Sequence, residues 1–456
     1  MLRAASSRAA SFRDPLPRGG AVDVAVIGGG VIGVFAALHL RRLGKSVLLC
    51  EKGKVAAEQS SRNWGWVRCM NRDPAELPLA MEAQRMWRDV DDQLGGAAGF
   101  QQSGIAYLCS SEDRMRDWEF WLDIAKAHGL DSHFLSGRQV ASFVPSLTGR
   151  QYVGALCTPT DGRAEPWTAV PAVAQLAHAE GVQIRERCAV RGLDVSGGVV
   201  RGVVTEDGVV AAEQVVLAGG AWSSLLARRH GVDLPQLLVR GTVVATNPLP
   251  EWFCGQIKDE KIAMRRRKDG GYTLALANTT HYVGPDSFRH AVPYLPLLGT
   301  MPDVTLHPPP KFHHPNAWTN GALSSWEDDE RSPFEETRVL DPPPDPAAVD
   351  MLRVLFAERF PGWNNNDTSS GKKVPVQRAW AGMIDAMPDV VPVVDRCSLP
   401  GLTLAFGMSA HGFGIGPAFG RAVANIILEK DVGHDMSRFR STRFDDGSKV
   451  IPGPGL

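Results

Sequence analysis

Residues 22–33 have the sequence VDVAVIGGGVIG, and residues 47–51 have the sequence VLLCE. The first stretch is an apolar strand that runs through three glycines into a helical pattern, and the second is an apolar strand that ends in an acid. Gly28 permits a tight turn, Gly30 lets a ligand approach the backbone, and Gly33 lets the helix lie close to the sheet. This pattern predicts a βαβ unit that binds an adenine dinucleotide.

The acid at the end of the second strand supports this interpretation. Glu51 follows the glycines by about 20 residues, which is the spacing of a carboxylate that binds a ribose 2′-hydroxyl. A carboxylate there would repel a 2′-phosphate and so argues against NADP. The alternative is a βαβ unit without a ligand, but glycines are costly at three positions around a helix start.

Composition sets the remaining bounds. A chain of 456 residues is too long for one core, so two domains are expected. A net charge of -1 gives no electrostatic reason for nucleic-acid binding, and no apolar run reaches the ~18 residues of a transmembrane segment. The seven cysteines are scattered without metal-binding spacing, so no metal site is predicted and the thiols are expected to be reduced.

The first 20 residues are rich in Arg, Ser and Ala, and Asp14 is their only acid. Residues 1–20 are predicted to be a disordered extension, with a mitochondrial transit peptide as the alternative. The expected location is therefore cytoplasmic, or mitochondrial if this stretch is a targeting signal.

Periodicity predicts helices at 76–96, 111–128 and 166–181, a strand at 182–190, and a hairpin with its turn at 206–208. A buried strand runs from 213 into the glycines at 219–220, and another at 402–406 leads into a glycine-rich turn and a helix ending at 427. Residues 234–370 are dense in proline and contain strand patterns at 238–246 and 271–277, which indicates a second domain with an antiparallel sheet.

Three motifs occur in order: the N-terminal glycine motif, LAGGAW at 217–222, and GMSAHGFGIGP at 407–417. Together they resemble the D-amino-acid oxidase family of FAD-dependent oxidoreductases, which includes glycine oxidase, sarcosine oxidase and D-amino-acid dehydrogenase. The resemblance implies an α/β fold (α+β overall) with a Rossmann-like FAD-binding domain made of segments 21–70, 150–233 and 371–435. A substrate domain on a mixed or antiparallel sheet would comprise 71–149 and 234–370, followed by a C-terminal tail at 436–456.

The resemblance also implies a set of FAD-binding residues. The first glycine turn and Glu51 would hold pyrophosphate and ribose, Val190 would contact adenine, and the C-terminal turn would border the isoalloxazine ring. The expected set is Gly28, Gly29, Gly30, Val31, Ile32, Gly33, Glu51, Lys52, Ser60, Ser61, Asn63, Trp64, Gly65, Val190, Ala218, Gly219, Trp222, Gly382, Gly412, Phe413, Gly414 and Ile415. The segment at 382–384 lacks the cysteine of sarcosine-oxidase relatives, so FAD is expected to be non-covalent.

One departure from the family pattern concerns the substrate. Ile384 stands where oxidases of simple α-amino acids carry an arginine that grips the carboxylate, and Asp385 follows it. Replacement arginines would be Arg62, Arg68, Arg265 or Arg267. The expected catalytic residues are Tyr272, which would wall the flavin with the Trp-Gly-Trp loop, Arg267, and His411, for which a structural role in the turn is the alternative.

The resemblance implies oxidation of the C–N bond of a D-amino acid, an N-alkyl amino acid or an opine-like secondary amine. Hydride transfer to flavin N5 would give an imine that hydrolyses in water. The alternatives are an FAD-dependent dehydrogenase of 2-hydroxy acids or polyols, and a non-catalytic FAD-binding assembly or subunit protein. The partner would be a small-molecule amine or amino acid, and the electron acceptor could be oxygen, a quinone or an electron-transfer protein.

Overall fold

The computed structural model describes residues 11–17, 20–147, 151–298, 304–309, 314–315, 326–364 and 373–453. Its strands are β1 (Ala21–Ile27), β2 (Val47–Glu51), β3 (Trp66–Val67), β4 (Gln101–Gln102), β5 (Ile105–Cys109), β6 (His133–Ser136), β7 (Gly154–Thr158), β8 (Gly162–Arg163), β9 (Gln183–Glu186), β10 (Val190–Ser196), β11 (Val199–Thr205), β12 (Gly208–Leu217), β13 (Leu237–Thr246), β14 (Gln256–Lys258), β15 (Ile262–Arg266), β16 (Tyr272–Leu276), β17 (Thr279–Tyr282), β18 (Val304–His307), β19 (Val376–Ala386), β20 (Val393–Arg396) and β21 (Leu402–Phe406). Its α-helices are α1 (Val31–Arg42), α2 (Gln59–Arg62), α3 (Leu77–Gln93), α4 (Glu112–Asp117), α5 (Glu119–Ala127), α6 (Gly137–Phe143), α7 (Pro166–Ala179), α8 (Ser223–Arg229), α9 (Pro285–Arg289), α10 (Ala291–Leu298), α11 (Pro333–Glu336), α12 (Pro346–Arg359) and α13 (Gly412–Ile427).

The first sheet contains the predicted dinucleotide-binding unit. Its strand order is β10-β11-β12-β1-β2-β9, with β21 paired to β12 and β20 paired to β21. The pairs β12–β1, β1–β2, β2–β9 and β12–β21 are parallel, whereas β10, β11 and β12 form an antiparallel meander. The prediction of a strand–turn–helix–strand unit is confirmed by β1, α1 and β2, and the hairpin turn lies at 206–207 as predicted.

Apolar helices cover this sheet, which explains why its central strands are apolar on both faces. α13 packs along α1, and two glycines of α13 allow the close approach. A Cβ added at Gly416 would lie 2.5 Å from Cγ2 of Val31, and one at Gly420 would lie 2.5 Å from Cβ of Phe35. The glycine-rich C-terminal helix is therefore fitted to the helix that follows the first glycine turn.

The second sheet has ten strands in the described part of the chain. Its order is β18-β17-β13-β16-β15-β14-β5-β7-β6, and β19 pairs with β13 over most of its length. The pairs β5–β14 and β17–β18 are parallel and the others are antiparallel, so the sheet is mixed, as predicted. A third, three-stranded sheet has the order β3-β8-β4.

The two faces of the second sheet have different surroundings. Val243, Ala245 and Trp380 lie on one face with Trp64 and Trp167, and we call this the inner face. The outer face carries the alternate residues and is covered by the apolar side of α12. Because side chains alternate along a strand, neighbouring residues of β13, β16 and β19 face opposite sides of this sheet.

Some strands fall outside the domain boundaries expected from the sequence. β7 and β19 lie in stretches assigned to the FAD-binding domain, but they pair with β5 and β13 of the second sheet. Apart from these two strands, the domain boundaries stay a prediction.

The described part of the predicted disordered extension, residues 11–17, does not lie free of the fold. Asp14 N–H donates to the Ile184 carbonyl at 3.3 Å, and the Asp14 carboxylate accepts the Ile184 N–H at 2.7 Å. These bonds join the stretch to the edge strand β9. Residues 1–10 and 18–19 lie outside the described residues. No helix in the described ranges combines the length and apolar character of a membrane span.

Candidate functional site

A deep cavity lies at the carboxyl ends of β1, β2, β12 and β21, between α2 and the first turn of α13. Its empty space is about 1210 Å³, including solvent at its mouth. The carboxyl ends of parallel strands are where open α/β sheets bind ligands. The lining includes Ile27, Gly28, Gly30, Val31, Ile32, Cys50, Glu51, Lys52, Glu58, Gln59, Ser60, Asn63, Val190, Ala218, Gly219, Trp222, Met383, Asp385, Phe406, Met408, Ala410, Gly412 and Phe413.

The first glycine turn forms the cavity wall beneath α1. Gly28 has φ of +107°, and a Cβ there would lie 2.4 Å from the Ala218 carbonyl oxygen. A Cβ at Gly33 would lie 2.0 Å from the Gly28 carbonyl oxygen, so this glycine lets α1 close onto the turn. Gly30 lines the cavity, and the nearest atom to a Cβ there would be Ser60 Oγ at 3.2 Å. The turn therefore presents backbone and the start of a helix to the cavity, which suits an anionic pyrophosphate.

Glu51 lies beside this turn, at the end of β2. Its carboxylate accepts the N–H groups of Gly29 at 2.8 Å and Gly53 at 2.7 Å. Burial raises the pKa of Glu51 to about 7, against the opposing effect of Lys52 and the two backbone bonds. The carboxylate is thus fixed at the cavity wall, where a ribose hydroxyl could donate to it.

Glu58 links two predicted residues of the cavity. Its carboxylate accepts from Lys52 Nζ at 2.6 Å and from Trp222 Nε1 at 3.1 Å. Lys52 Nζ also lies 4.4 Å from the centroid of the Trp222 ring. Glu58 was not predicted, because its role depends on contacts between β2, α2 and the end of β12 that no local motif reveals.

The opposite end of the cavity is bordered by the turn before α13. Ser409 and Ala410 have φ of +46° and +67°, a left-handed conformation that is unfavourable for residues other than glycine. Asp385 supports this turn: its side chain accepts from Gly407 N–H at 2.8 Å and Met408 N–H at 3.3 Å. Burial raises the pKa of Asp385 to about 6. Asp385 therefore lines the cavity and shapes its wall.

His411 belongs to a buried group behind this turn. Its Nδ1 lies 3.0 Å from Glu76 Oε1, and Arg72 Nη1 lies 3.8 Å from Glu76 Oε2. All three side chains are buried, and burial lowers the pKa of His411 to about 4. The side chain of His411 does not line the cavity, although its neighbours Ala410 and Gly412 do.

The first turn of α13 is anchored from α3. Trp87 Nε1 donates to the carbonyls of Phe413 and Gly414 at 3.1 and 3.2 Å. Trp87 is fully buried and packs against the Phe413 ring with their centroids 5.0 Å apart. This contact fixes the turn that presents Gly412 and Phe413 to the cavity.

The other two predicted catalytic residues lie elsewhere. Tyr272 is on the outer face, where its hydroxyl donates to the Pro250 carbonyl at 3.0 Å and accepts the Trp252 N–H at 3.0 Å. Arg267 donates to the Tyr272 carbonyl at 2.7 Å and pairs with Asp269 at 2.8 Å. Neither lines the cavity, because strand alternation directs Tyr272 toward α12 and the turn at 267–271 binds Arg267.

The other arginines proposed to hold a carboxylate are engaged within the protein. Arg62 pairs with Asp341 at 2.6 Å, and Arg265 pairs with Glu165 at 2.9 Å. Arg68 donates to the carbonyls of Met70 and Asn71. The structure therefore brings none of the four predicted arginines into the cavity.

The structure places most of the predicted FAD-binding residues in the cavity wall. The predicted residues that do not line it are Gly29, Gly33, Ser61, Trp64, Gly65, Gly382, Gly414 and Ile415. Several of these support the wall from behind: Gly29 binds Glu51, and a Cβ at Gly65 would lie 2.5 Å from the Ala164 carbonyl oxygen. Besides Glu58, the sequence did not reveal Gln59, Met383, Phe406, Met408 and Ala410.

These residues fit FAD. Gly28 and Gly33 have no room for side chains, Glu51 is held beside the turn that they form, and the cavity extends to the backbone turn that precedes α13. A dinucleotide with a flavin needs an elongated site of this kind.

Comparison with known proteins agrees with these features. The sequence profile of the FAD dependent oxidoreductase family matches residues 23–426. Mitochondrial sarcosine dehydrogenase of Mus musculus is 30% identical over 239 residues, covering 51% of this chain and 26% of the relative. The 4-methylaminobutanoate oxidase (formaldehyde-forming) of Paenarthrobacter nicotinovorans is 32% identical over 232 residues, covering 51% of this chain and 28% of the relative. The matches to these two relatives span little more than a quarter of their lengths.

A solved structure is similar over nearly the whole chain. L-Amino acid deaminase from Proteus myxofaciens, in complex with anthranilate, has a TM-score of 0.88 and 27% sequence identity. The similarity covers 96% of this chain and 96% of that one. It therefore extends over both large sheets.

Proposed function

Because this chain belongs to the FAD dependent oxidoreductase family, we propose that it binds FAD non-covalently in the cavity and oxidises the C–N bond of a small amine or amino acid. The observation that carries the proposal is the single cavity wall that joins the first glycine turn, Glu51 and the turn before α13. The sarcosine dehydrogenase and the 4-methylaminobutanoate oxidase named above act, by their names, on N-methyl amines, which supports an amine as the substrate.

The proposed cofactor contacts follow from the geometry. Gly28, Gly30 and the amides that begin α1 would bind the pyrophosphate, and Glu51 would accept from the ribose. Gly412 and Phe413 would place backbone amides of α13 beside the ring system, where the start of a helix stabilises negative charge. When bound, FAD supplies a two-electron acceptor for a hydride from the carbon next to the amine nitrogen.

A non-covalent attachment is supported by the cavity lining. Two cysteines, Cys50 and Cys188, line it, and they lie at the end of β2 and just before β10 rather than near α13. Among the described residues, no histidine lines it. Release of all the FAD by acid precipitation of the protein would support this part of the proposal, and retention of FAD on the chain would contradict it.

The carboxylates of the cavity wall were considered as general bases for the proposed oxidation. Glu51, Glu58 and Asp385 each accept hydrogen bonds from backbone or side-chain N–H groups, so each has a structural role. The site thus offers no carboxylate poised as a general base in the described residues. An amine that binds deprotonated needs none, and the apolar lining would exclude water from the reacting carbon.

An anaerobic visible spectrum of the purified holoprotein tests the proposal. Amines and 2-hydroxy acids with matched side chains should be added in turn, and only the amines should bleach the ~450 nm band of oxidised flavin, a property of the cofactor itself. Bleaching by the hydroxy acids alone would favour the dehydrogenase alternative, and no bleaching by any compound would favour a non-catalytic flavoprotein. Exposing the bleached sample to air, a quinone or an electron-transfer protein would identify the electron acceptor.

The cellular location remains part of the proposal. All seven cysteines are free thiols in the structure, which agrees with a reducing compartment such as the cytoplasm. Localisation of a tagged full-length chain would distinguish this from a mitochondrial location.

A further inference from the structure

A glycine on β13 leaves a gap on the inner face of the second sheet, beside a glycine of β19 that α2 covers. Gly241 on β13 and Gly382 on β19 lie directly opposite each other in the antiparallel register. Within 4 Å, a Cβ at Gly241 would meet only Ile384 Cδ1, at 3.4 Å, whereas α2 covers Gly382: a Cβ there would lie 2.2 Å from Gln59 Oε1 and 3.2 Å from Cβ of Arg62. Because Gln59 also lines the cavity, the gap lies beside the proposed FAD site.

Aromatic side chains border this gap. Trp380 precedes Gly382 by two residues on the same strand, a rise of about 7 Å, and packs with Trp64 and Trp167. The rings of Trp167 and Trp380 have their centroids 4.8 Å apart. Trp167 Nε1 and Gln59 Oε1 are buried and have no hydrogen-bond partner among the described residues. Buried polar atoms rarely lack partners, so both atoms have unused hydrogen-bonding capacity beside the gap.

Arg378 completes this row on β19. Its Cζ lies 4.2 Å from the Trp167 ring centroid and 5.4 Å from that of Trp380. It is exposed, and no ion pair or hydrogen bond joins it to another described residue. The carboxylate that attracts it, Asp341, is already paired with Arg62. A guanidinium stacked on two indoles is held in place with its N–H donors unused, which suits an anionic ligand.

The position of Arg378 restricts the ligand. Gly382 lies four residues further along the strand, a rise of about 13 Å, and the side chain beside the gap at Ile384 is apolar. Because Ile384 Cδ1 is the nearest atom to the open position at Gly241, an α-carboxylate at the gap would meet an apolar side chain and not this cation. We propose that Arg378, stacked on Trp167 and Trp380, binds the anionic end of an amine substrate whose charged group is several carbon atoms away from the oxidised C–N bond. This inference rests on the proposed function for the identity of the reacting group.

The experiment uses the FAD-loaded full chain and two ligand series. The first is straight-chain methylamino carboxylates of increasing length, each beside its uncharged amide, with anaerobic bleaching of the flavin as the readout. The second is redox-inert carboxylates of the same lengths and their amides, with quenching of tryptophan fluorescence as a measure of binding. The variants are Arg378→Gln, Arg378→Lys, and the control Arg353→Gln, an arginine on α12 that pairs with Asp350.

In the wild type, the longer carboxylates should bind about 10- to 100-fold more tightly than their amides, the range for hydrogen bonds to charged groups. Arg378→Gln should abolish this preference, Arg378→Lys should keep part of it, and Arg353→Gln should keep all of it.

The two series separate the inference from the proposed function. A charge preference that persists in Arg378→Gln, or tightest binding of the shortest homologue, would overturn the inference even if amines bleach the flavin. Arg378-dependent binding of inert carboxylates without bleaching by any amine would support the anion site and count against amine oxidation.

Discussion

Glu51 is the residue for which the structure makes the sharpest pH prediction. Burial raises its pKa from 4.5 to about 7 in the ligand-free fold, so below pH 7 a proton occupies the carboxylate. Ribose hydroxyls would donate to the ionised form and lower this pKa, so FAD binding must release the proton. FAD affinity should therefore fall as the pH drops below 7, approaching about tenfold per pH unit.

Titration of apoprotein with FAD between pH 6 and 8 measures this effect. Glu51→Gln should bind FAD more weakly at pH 8 and show a nearly flat pH profile. The same group makes the ligand-free fold less stable as the pH rises from 4.5 through 7, because the ionised form is disfavoured in the native state. A wild-type affinity that is independent of pH would contradict the release of a proton from Glu51 when FAD binds.

At the residue scale, the sequence predicted the backbone features of the site better than its side chains. Gly28 and Gly33 were predicted from the motif, and the structure shows why glycine is needed there. A Cβ added at these positions would lie 2.4 Å and 2.0 Å from backbone carbonyl oxygens. Glu58 and Asp385 act through contacts with residues far away in the chain, Leu340 and Gly407 among them. Such roles depend on tertiary structure and leave no local spacing to detect.

Among the elements, β16 is a strand whose position was predicted from the sequence but whose two faces could not be assigned. The strand at 271–277 was predicted and is present as Tyr272–Leu276, but the face of each residue depends on register and on which side α12 covers. Tyr272 points to the outer face, whereas Thr273 shares the inner face with Arg265. A one-residue shift reverses every side chain of a strand, so a functional tyrosine could not be assigned from the strand pattern.

Tyr272→Phe should therefore affect stability and not the flavin site. Its hydroxyl makes two buried hydrogen bonds, with Pro250 and Trp252, and loss of the partner should cost about 1–3 kcal/mol of unfolding free energy. Chemical denaturation of the FAD-loaded protein measures the loss. A large change in the limiting rate of flavin bleaching, with unchanged stability, would return Tyr272 to the catalytic residues.

The hydrogen bonds from Trp87 on α3 to α13 should, in contrast to those of Tyr272, affect FAD binding. Trp87→Phe keeps an aromatic ring against Phe413. It removes the indole N–H that donates to the carbonyls of Phe413 and Gly414. The first turn of α13 should become less fixed, so FAD affinity should fall by roughly fivefold or more, the effect of about one hydrogen bond. Equilibrium titration with FAD tests this, with Trp363→Phe as a control outside the cavity. Equal FAD affinity in Trp87→Phe and the wild type would contradict a role for this anchor.

On the scale of the whole molecule, the cavity is assembled from segments that are far apart in the chain. Gly28, Trp222, Asp385 and Phe413 all line it, so a ligand there joins β1, β12, β19 and α13. FAD binding should therefore raise the free energy of unfolding. The increase should be about 2.7 kcal/mol when the free FAD concentration is 100 times the dissociation constant. The sequence motifs predicted this assembly from their order, but the pairing of β7 and β19 with the second sheet could be seen only in three dimensions.

The most direct measurement is an equilibrium titration of apoprotein with FAD in the wild type and in Gly30→Val. Gly30 has φ of -77° and ψ of 178°, a conformation that valine adopts, and the nearest atom to its Cβ would be Ser60 Oγ at 3.2 Å, which accepts the Val31 N–H. The variant should keep the wild-type far-ultraviolet circular dichroism while its side chain fills the pyrophosphate position. We expect one FAD per wild-type chain and at least a 100-fold weaker affinity in Gly30→Val, about 2.7 kcal/mol. Wild-type protein that binds no FAD, or a folded variant that binds it equally well, would contradict the account.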